Sequence, residues 1–279
     1  MITVAQQDYI EEHAYVPEHI SHYVTAISQT EPYLFGNFLA YAKKGHFIFV
    51  GYPLKEPFEE KRMGKALEGV VKRFKPESIS LTAPSVPSSL RDCSHFPSDH
   101  YYRLDLSSLS ISQKLRNMLK RASRELSVEK NKNFSEEHRK MVQEFLKVHP
   151  VDEATRSIFQ RIDQYLSSQR AAWIFDARDK GNELVAFDVA EFQSRSYCFY
   201  MFNFTSDARY VPGVSDLLLF EVIQQAKKEG KKYINLGLGI NPGVTFFKKK
   251  WGGIPFLPHA FCLFHPSKKE NLETLLQKL

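Results

Sequence analysis

The stretch from Tyr197 to Leu236, YCFYMFNFTSDARYVPGVSDLLLFEVIQQAKKEGKKYINL, decides the fold. Tyr197–Phe204 is a dense run of rings, too short for a buried helix and bounded by turn residues, so it reads as a strand. Thr205–Gly213 leads out of it. Over Val214–Glu229, Leu219, Val222, Ile223 and Ala226 fall on one helix face, Lys227 and Lys228 occupy the last turn, and Gly230 ends the helix. Tyr233–Leu236 is a second short strand. Strand, crossover helix and strand are the unit of α/β architecture.

A weaker copy lies upstream. His46–Val50 reads as a strand and Pro57 suits a helix start. Met63, Ala66, Leu67, Val70, Val71 and Phe74 share one helix face, Pro76 stops that helix, and Ser78–Thr82 alternates as a strand. The chain has 279 residues, enough for two domains. Between the copies, Gln113–Arg124 reads as a basic helix with Lys114, Arg116, Lys120, Arg121 and Arg124. Helices follow over Ser135–Val148 and Asp152–Ser168. Ser135 caps the first, without a full capping box because His138 is neither Glu nor Gln. Ala171–Ala177, Glu183–Phe192 and Ser194–Phe204 read as an antiparallel meander. After Leu236 come a glycine-rich loop to Gly243, a short basic helix over Val244–Lys250, and a last strand, Phe256–Phe264.

Composition sets outer bounds. Hydrophobic residues are 43% and charged residues 25%, which excludes a disordered chain. The net charge of +6 favours an anionic partner weakly. Cys93, Cys198 and Cys262 are odd in number and outside metal-site spacing, so three reduced thiols and a reducing compartment are expected. No apolar run is long enough to span a bilayer, and the first residues lack a signal-peptide pattern.

Several residues carry candidate chemistry. A helix opening at glycine after a strand exposes backbone N–H groups and a positive dipole end, so Val211-Pro-Gly-Val-Ser215 is either an anion cradle or an ordinary turn capped by Ser215. Gly237-x-Gly239-x-x-x-Gly243 does not have dinucleotide-binding spacing. His13, His19 and His22 lack partners at ligand spacing, so no metal site is expected. Asp188 and Glu191 are spare general-base candidates. Within Lys248-Lys-Lys250, the ammonium groups fan about 100° apart on a helix and cannot share one cleft.

Three segments together resemble a known group: Val211–Glu221, Gly230–Gly239, and Gly243-VTFFKKKWG-Gly253. They look like the C-terminal end of a GNAT-superfamily acyltransferase domain. The form is nearest the tandem branch of the Fem-type aminoacyltransferases and the C-terminal domain of phosphatidylglycerol lysyltransferases. Leu115-RNMLKRASR-Glu125 resembles the basic helix before the second domain of that branch. The resemblance implies an α+β fold with two GNAT-like domains in tandem, over 1–107 and 108–279, each a mixed, mostly antiparallel sheet flanked by helices. It implies acyl or aminoacyl transfer to an amine, with acyl-CoA, a carrier-protein thioester or aminoacyl-tRNA as donor substrate and no tightly bound cofactor. Donor phosphates would bind at Val211, Gly213, Val214 and Ser215, and a splayed strand pair would grip the acyl arm. Asn235 and Gly237 would line the same groove. Lys248, the lysine of the F-K-x-x-W-G element, would stabilise the oxyanion with Asn235 beside it, while the rings of Phe246 and Phe247 anchor its helix and Trp251 shields it. The loop departs from the superfamily pattern, having one glycine and a proline, which leaves a silent protein binding RNA or another anion through its basic helices as the alternative. A cytoplasmic setting, tRNA as a partner and contact with a membrane surface are the matching expectations.

Overall fold

The computed structural model describes residues 2–87, 90, 94–95, 98–168 and 171–266. In chain order the elements are α1 (Val4–His13), α2 (Ser21–Ser28), β1 (Glu31–Phe35), β2 (Phe38–Lys43), β3 (His46–Val50), α3 (Glu60–Phe74), β4 (Ser78–Ala83), β5 (Ser94–His95) and β6 (Asp99–Asp105). There follow α4 (Gln113–Glu125), β7 (Leu126–Asn131), α5 (Glu136–Val148), α6 (Glu153–Phe159), α7 (Ile162–Ser168), β8 (Ala172–Asp179), β9 (Leu184–Glu191) and β10 (Tyr197–Thr205). The chain closes with α8 (Val214–Lys228), β11 (Tyr233–Leu238), α9 (Pro242–Lys250) and β12 (Ile254–Phe264).

Two compact units result. The first holds Met1–Tyr101, Leu238–Ile240 and Pro255–Leu279; the second holds Tyr102–Gly237 and Asn241–Ile254. A single cut after residue 107 therefore does not describe the chain, because the last strand returns to the first unit. In that unit β1, β2 and β3 are antiparallel neighbours, β4 runs parallel to β3, and β12 is antiparallel to β4. One sheet face buries Phe47, Phe49, Ile79 and Leu81 against Met63, Leu67 and Val70 of α3. The other buries Leu39, Tyr41 and Val50 with Ile10 and Val24 of the first two helices.

The second unit orders its strands β6-β11-β10-β9-β8-β7. The meander is antiparallel from β7 to β10, and β10 and β11 are parallel. Its core packs Leu218, Leu219, Val222 and Ile223 of α8 with Leu115, Leu119 and Ala122 of α4 and with the sheet. Both strand–helix–strand copies read from the sequence are present, and each sheet is mixed and mostly antiparallel.

Three local expectations are corrected. The helix expected over Asp152–Ser168 is two helices, because Arg161 N–H bonds three residues back to Ile158 and tightens the turn. The His138 ring completes the capping box, since its Nδ1 accepts the Ser135 N–H at 3.0 Å. Nε2 of the same ring contacts Asp176 Oδ1 at 2.8 Å, fixing α5 to β8 in the interior. Cys262, buried on β12, is disulfide-bonded rather than a reduced thiol, whereas Cys198 is free and buried. Cys93 lies outside the described residues.

Candidate functional site

The two copies differ at their parallel strand pair. In the first unit β3 and β4 stay bonded from His46↔Ser78 to Val50↔Thr82, and the Gly51 N–H continues the ladder to Thr82 O at 2.7 Å. In the second, β10 and β11 pair only at Tyr197↔Tyr233, Cys198↔Ile234 and Phe199↔Asn235. Both strands run on past that point. β10 carries a bulge between Tyr200 and Phe202 and stays paired to β9 as far as Thr205↔Ala186, so it leaves β11 and follows β9. The seam between β10 and β11 is the candidate site.

Lys248 lies beside β11, just beyond its last pair with β10. It is only 4% exposed, and its Nζ lies 5.9 Å from the Tyr102 ring centroid, at the outer range of a cation–π contact. A Cβ on Gly237 would stand 3.6 Å from that Nζ, so the ammonium sits against the backbone where β11 leaves its partner. Gly237 has φ +77°, and the fully buried Asn235 holds it there by accepting the Gly237 N–H on Oδ1 at 2.8 Å. Gly237 thus has Asn235 and Lys248 as neighbours. Asn235 spends its carboxamide oxygen on the strand end, which is a positioning contact.

The three lysines of α9 occupy three environments. Lys249 is exposed. Lys250 reaches the first turn of α8, where its Nζ lies 2.6 Å from Asp216 Oδ1. The buried Trp251 donates its indole N–H to the same oxygen at 2.9 Å. Phe247 packs on the core and stacks with Tyr200 at 6.5 Å, but Phe246 is 69% exposed and anchors nothing.

The Val211–Ser215 loop is more tightly built than the anion-cradle expectation allowed. Gly213 is the N-cap of α8 with φ +88°, and no side chain caps the helix, so Ser215 is not the cap. The buried Val214 turns its N–H inward to Val211 O at 3.1 Å. A Cβ on Gly213 would stand 2.8 Å from Met118 Cγ, so glycine is required here for the approach of α4 as well as for its backbone angle. The Ser215 hydroxyl donates to Asn203 Oδ1 at 3.4 Å. Asp216 places a carboxylate at the positive end of the α8 dipole.

Asp188 and Glu191, three apart on a regular strand, point to opposite sheet faces. Asp188 is wholly buried and accepts from Asn203 Nδ2 at 2.6 Å; burial pushes its carboxyl up to about 8. The buried Tyr200 hydroxyl faces the same carboxyl. Glu191 accepts the Tyr165 hydroxyl at 2.5 Å and the Phe192 and Gln193 N–H groups at 3.0 Å, and burial raises it to about 7. The sequence reading missed Asp216, Asn203 and Tyr102, all of which act by tertiary contact. Only Asp216, an acid in the first helical turn, carried a local signal. His19 is buried with Nε2 2.9 Å from Tyr52 O, and burial lowers it to about 4, a neutral core histidine. Among the described residues no cluster of metal-ligating side chains occurs, and no helix is long and apolar enough to cross a membrane.

The comparisons with known proteins bear on the fold. L-PGS from Bacillus licheniformis superposes with a TM-score of 0.60 at 15% identity, over 94% of this chain and 92% of that one. FemX gives 0.61 at 10% identity over 93% and 96%. A tandem GNAT protein from the clavulanic acid biosynthesis pathway gives 0.56 at 11% identity over 93% of each. The fold is GNAT-like. The chain matches no protein-family model and no curated protein sequence. At these identities the likeness is one of architecture, and it is to the same group that the motifs at Val211–Glu221 and Phe247–Gly252 resemble.

Proposed function

We propose that the second unit transfers an acyl or aminoacyl group from an activated donor to an amine. The observation that carries this reading is the seam between β10 and β11, with a buried lysine ammonium at its edge. The donor's acyl arm lies in the seam and its phosphate-bearing part runs toward Val211–Ser215. The amine nitrogen bonds to the donor carbonyl carbon, the C–O or C–S bond to the carrier breaks, and the amine proton ends on the departing oxygen or sulfur. Lys248 faces the oxyanion formed on the way, and Asn235 keeps Gly237 and the strand end in place for it. The donor arrives as a substrate, with no resident cofactor. The first unit, whose equivalent ladder stays shut, supplies no second donor seam.

Aminoacyl-tRNA fits this donor site better than free coenzyme A. The loop has one glycine and little free backbone, while α4, packed on it through Met118, turns Lys114, Lys120, Arg121 and Arg124 to solvent, with no ion pair to any of them among the described residues. Such a row suits a polyanion. Aminoacyl-tRNA places the reaction in the cytoplasm. The same row supports the second reading, a silent RNA-binding protein, but that reading loses Lys248 to burial and Lys250 to Asp216.

A melting-temperature screen with acetyl-CoA, free CoA and bulk aminoacylated tRNA, followed by a transfer assay with amine acceptors, tests the proposal. A donor that binds only the folded state raises its melting temperature. Stabilisation by a donor together with amide formation supports transfer. Stabilisation by deacylated tRNA with no transfer to any amine selects the silent reading.

A further inference from the structure

A cavity of ≈ 360 Å³ lies within the second unit between α5, α6 and α7, at the small end of the range of ligand pockets. None of its lining residues belongs to the seam or the Val211–Ser215 loop. Its floor is apolar: Phe134, Val142, Leu146 and Phe159. Phe159 is held edge-on by Phe145 and Phe204, at 5.9 and 5.1 Å between centroids, so the floor is set by packing.

The rim carries the opposite chemistry. Lys147 and Arg156 line the cavity and form no ion pair among the described residues. Arg139 lies over the Phe134 ring and shares long contacts, 3.5 Å to Glu136 and 3.6 Å to Asp163. Asp163 is the one carboxylate on the lining, against three cations. A fixed apolar floor under unmatched positive charge selects a ligand with both an apolar body and an anionic end. An apolar ligand alone would leave the cations unused, and a bare anion would leave the floor wet.

We propose that this cavity binds a short-chain organic anion, an alkyl tail ending in a carboxylate or a phosphate, with Arg156 and Lys147 on the head and Leu146 and Phe159 along the tail. The site is separate from the transfer chemistry and stands whether or not that reading holds.

Calorimetric titration of the full chain with octanoate, octyl phosphate, octanol and inorganic phosphate tests it. Octanoate or octyl phosphate should bind about tenfold or more tightly than octanol and inorganic phosphate, and the tighter of the two names the head group. Arg156→Glu and Lys147→Glu, each checked for an unchanged circular dichroism spectrum, should each weaken that binding by about tenfold or more. Both positions lie outside the buried core, so at least one folded variant is expected. The proposal is overturned if neither octyl anion binds, if octanol binds as tightly as octanoate, or if the folded variants bind as the parent does.

Discussion

Lys250 on α9 and Asp216 on α8 are joined by an ion pair, with Nζ 2.6 Å from Oδ1 and 2.8 Å from Oδ2. The carboxylate is 5% exposed and also receives the Trp251 indole N–H, so this contact ties the end of α9 to the start of α8. Removing the ammonium strands part of a buried charge. Lys250→Ala should cost about 1–3 kcal/mol of stability, discounted from a fully buried pair because the lysine is partly wet. Lys249→Ala, at an exposed position, should stay within about 0.5 kcal/mol. Chemical denaturation of the two variants gives both numbers, and equal midpoints would show that the pair contributes nothing.

Lys248 is the functional test within the same run. Lys248→Met keeps most of the buried volume and removes the charge. Turnover should fall by roughly 10²-fold or more with the melting temperature little changed, whereas Lys249→Ala should leave turnover intact. A matched loss in both variants would assign the run a general electrostatic role and remove Lys248 from the mechanism.

Gly213 is held by two constraints that a mutant cycle can separate. Gly213→Ala forces a side chain into the left-handed region, at about 1–2 kcal/mol, and drives its Cβ toward Met118. The Met118→Ala change should relieve the second cost and leave the first. A positive coupling between the two sites, read from urea midpoints, is the expected result. Strict additivity would mean that α4 does not limit the loop.

Asp188 gives a pH signature. Its folded carboxyl titrates near 8, against about 3.9 for an ordinary aspartate. The folded state therefore holds more protons between those values, and this group's contribution to stability is complete below pH 4 and lost as pH rises through 8. His19, lowered to about 4, acts in the opposite sense, losing stability as pH falls from about 6.5 toward 4. Asp188→Asn cancels only the first effect. The variant should gain melting temperature over the parent at pH 8 and gain little at pH 4. A constant difference across that range would show that Asp188 is ionised in the folded protein.

The strand–helix–strand units were legible because α3 and α8 carry periodic apolar faces and end in recognisable stops. The elements before His46 were not marked, since α1 holds only Ile10 in the core and has no strong apolar face. The edge strand β7, Leu126–Asn131, escaped because most of its side chains are polar and in contact with solvent. The return of β12 to the first unit is a matter of pairing across the chain, with Cys262 opposite Leu81, and no local pattern encodes it. At the site, Gly237 and Lys248 came from the family resemblance carried by the strand end and the F-K-x-x-W-G element. The tightness of the Gly213 loop was not, because it depends on Met118, 95 positions earlier in the chain.

Where β10 turns away from β11, amide hydrogens lose the partner that would shelter them. The amides of β3 and β4, bonded through to Gly51, should trade their protons with deuterated water only when the unit opens globally. Those on the inner edges of the parted strands should trade much sooner. Any molecule that fills the gap would slow that clock in one small patch of the chain, so the position of a bound donor can be mapped by mass spectrometry before its identity is known.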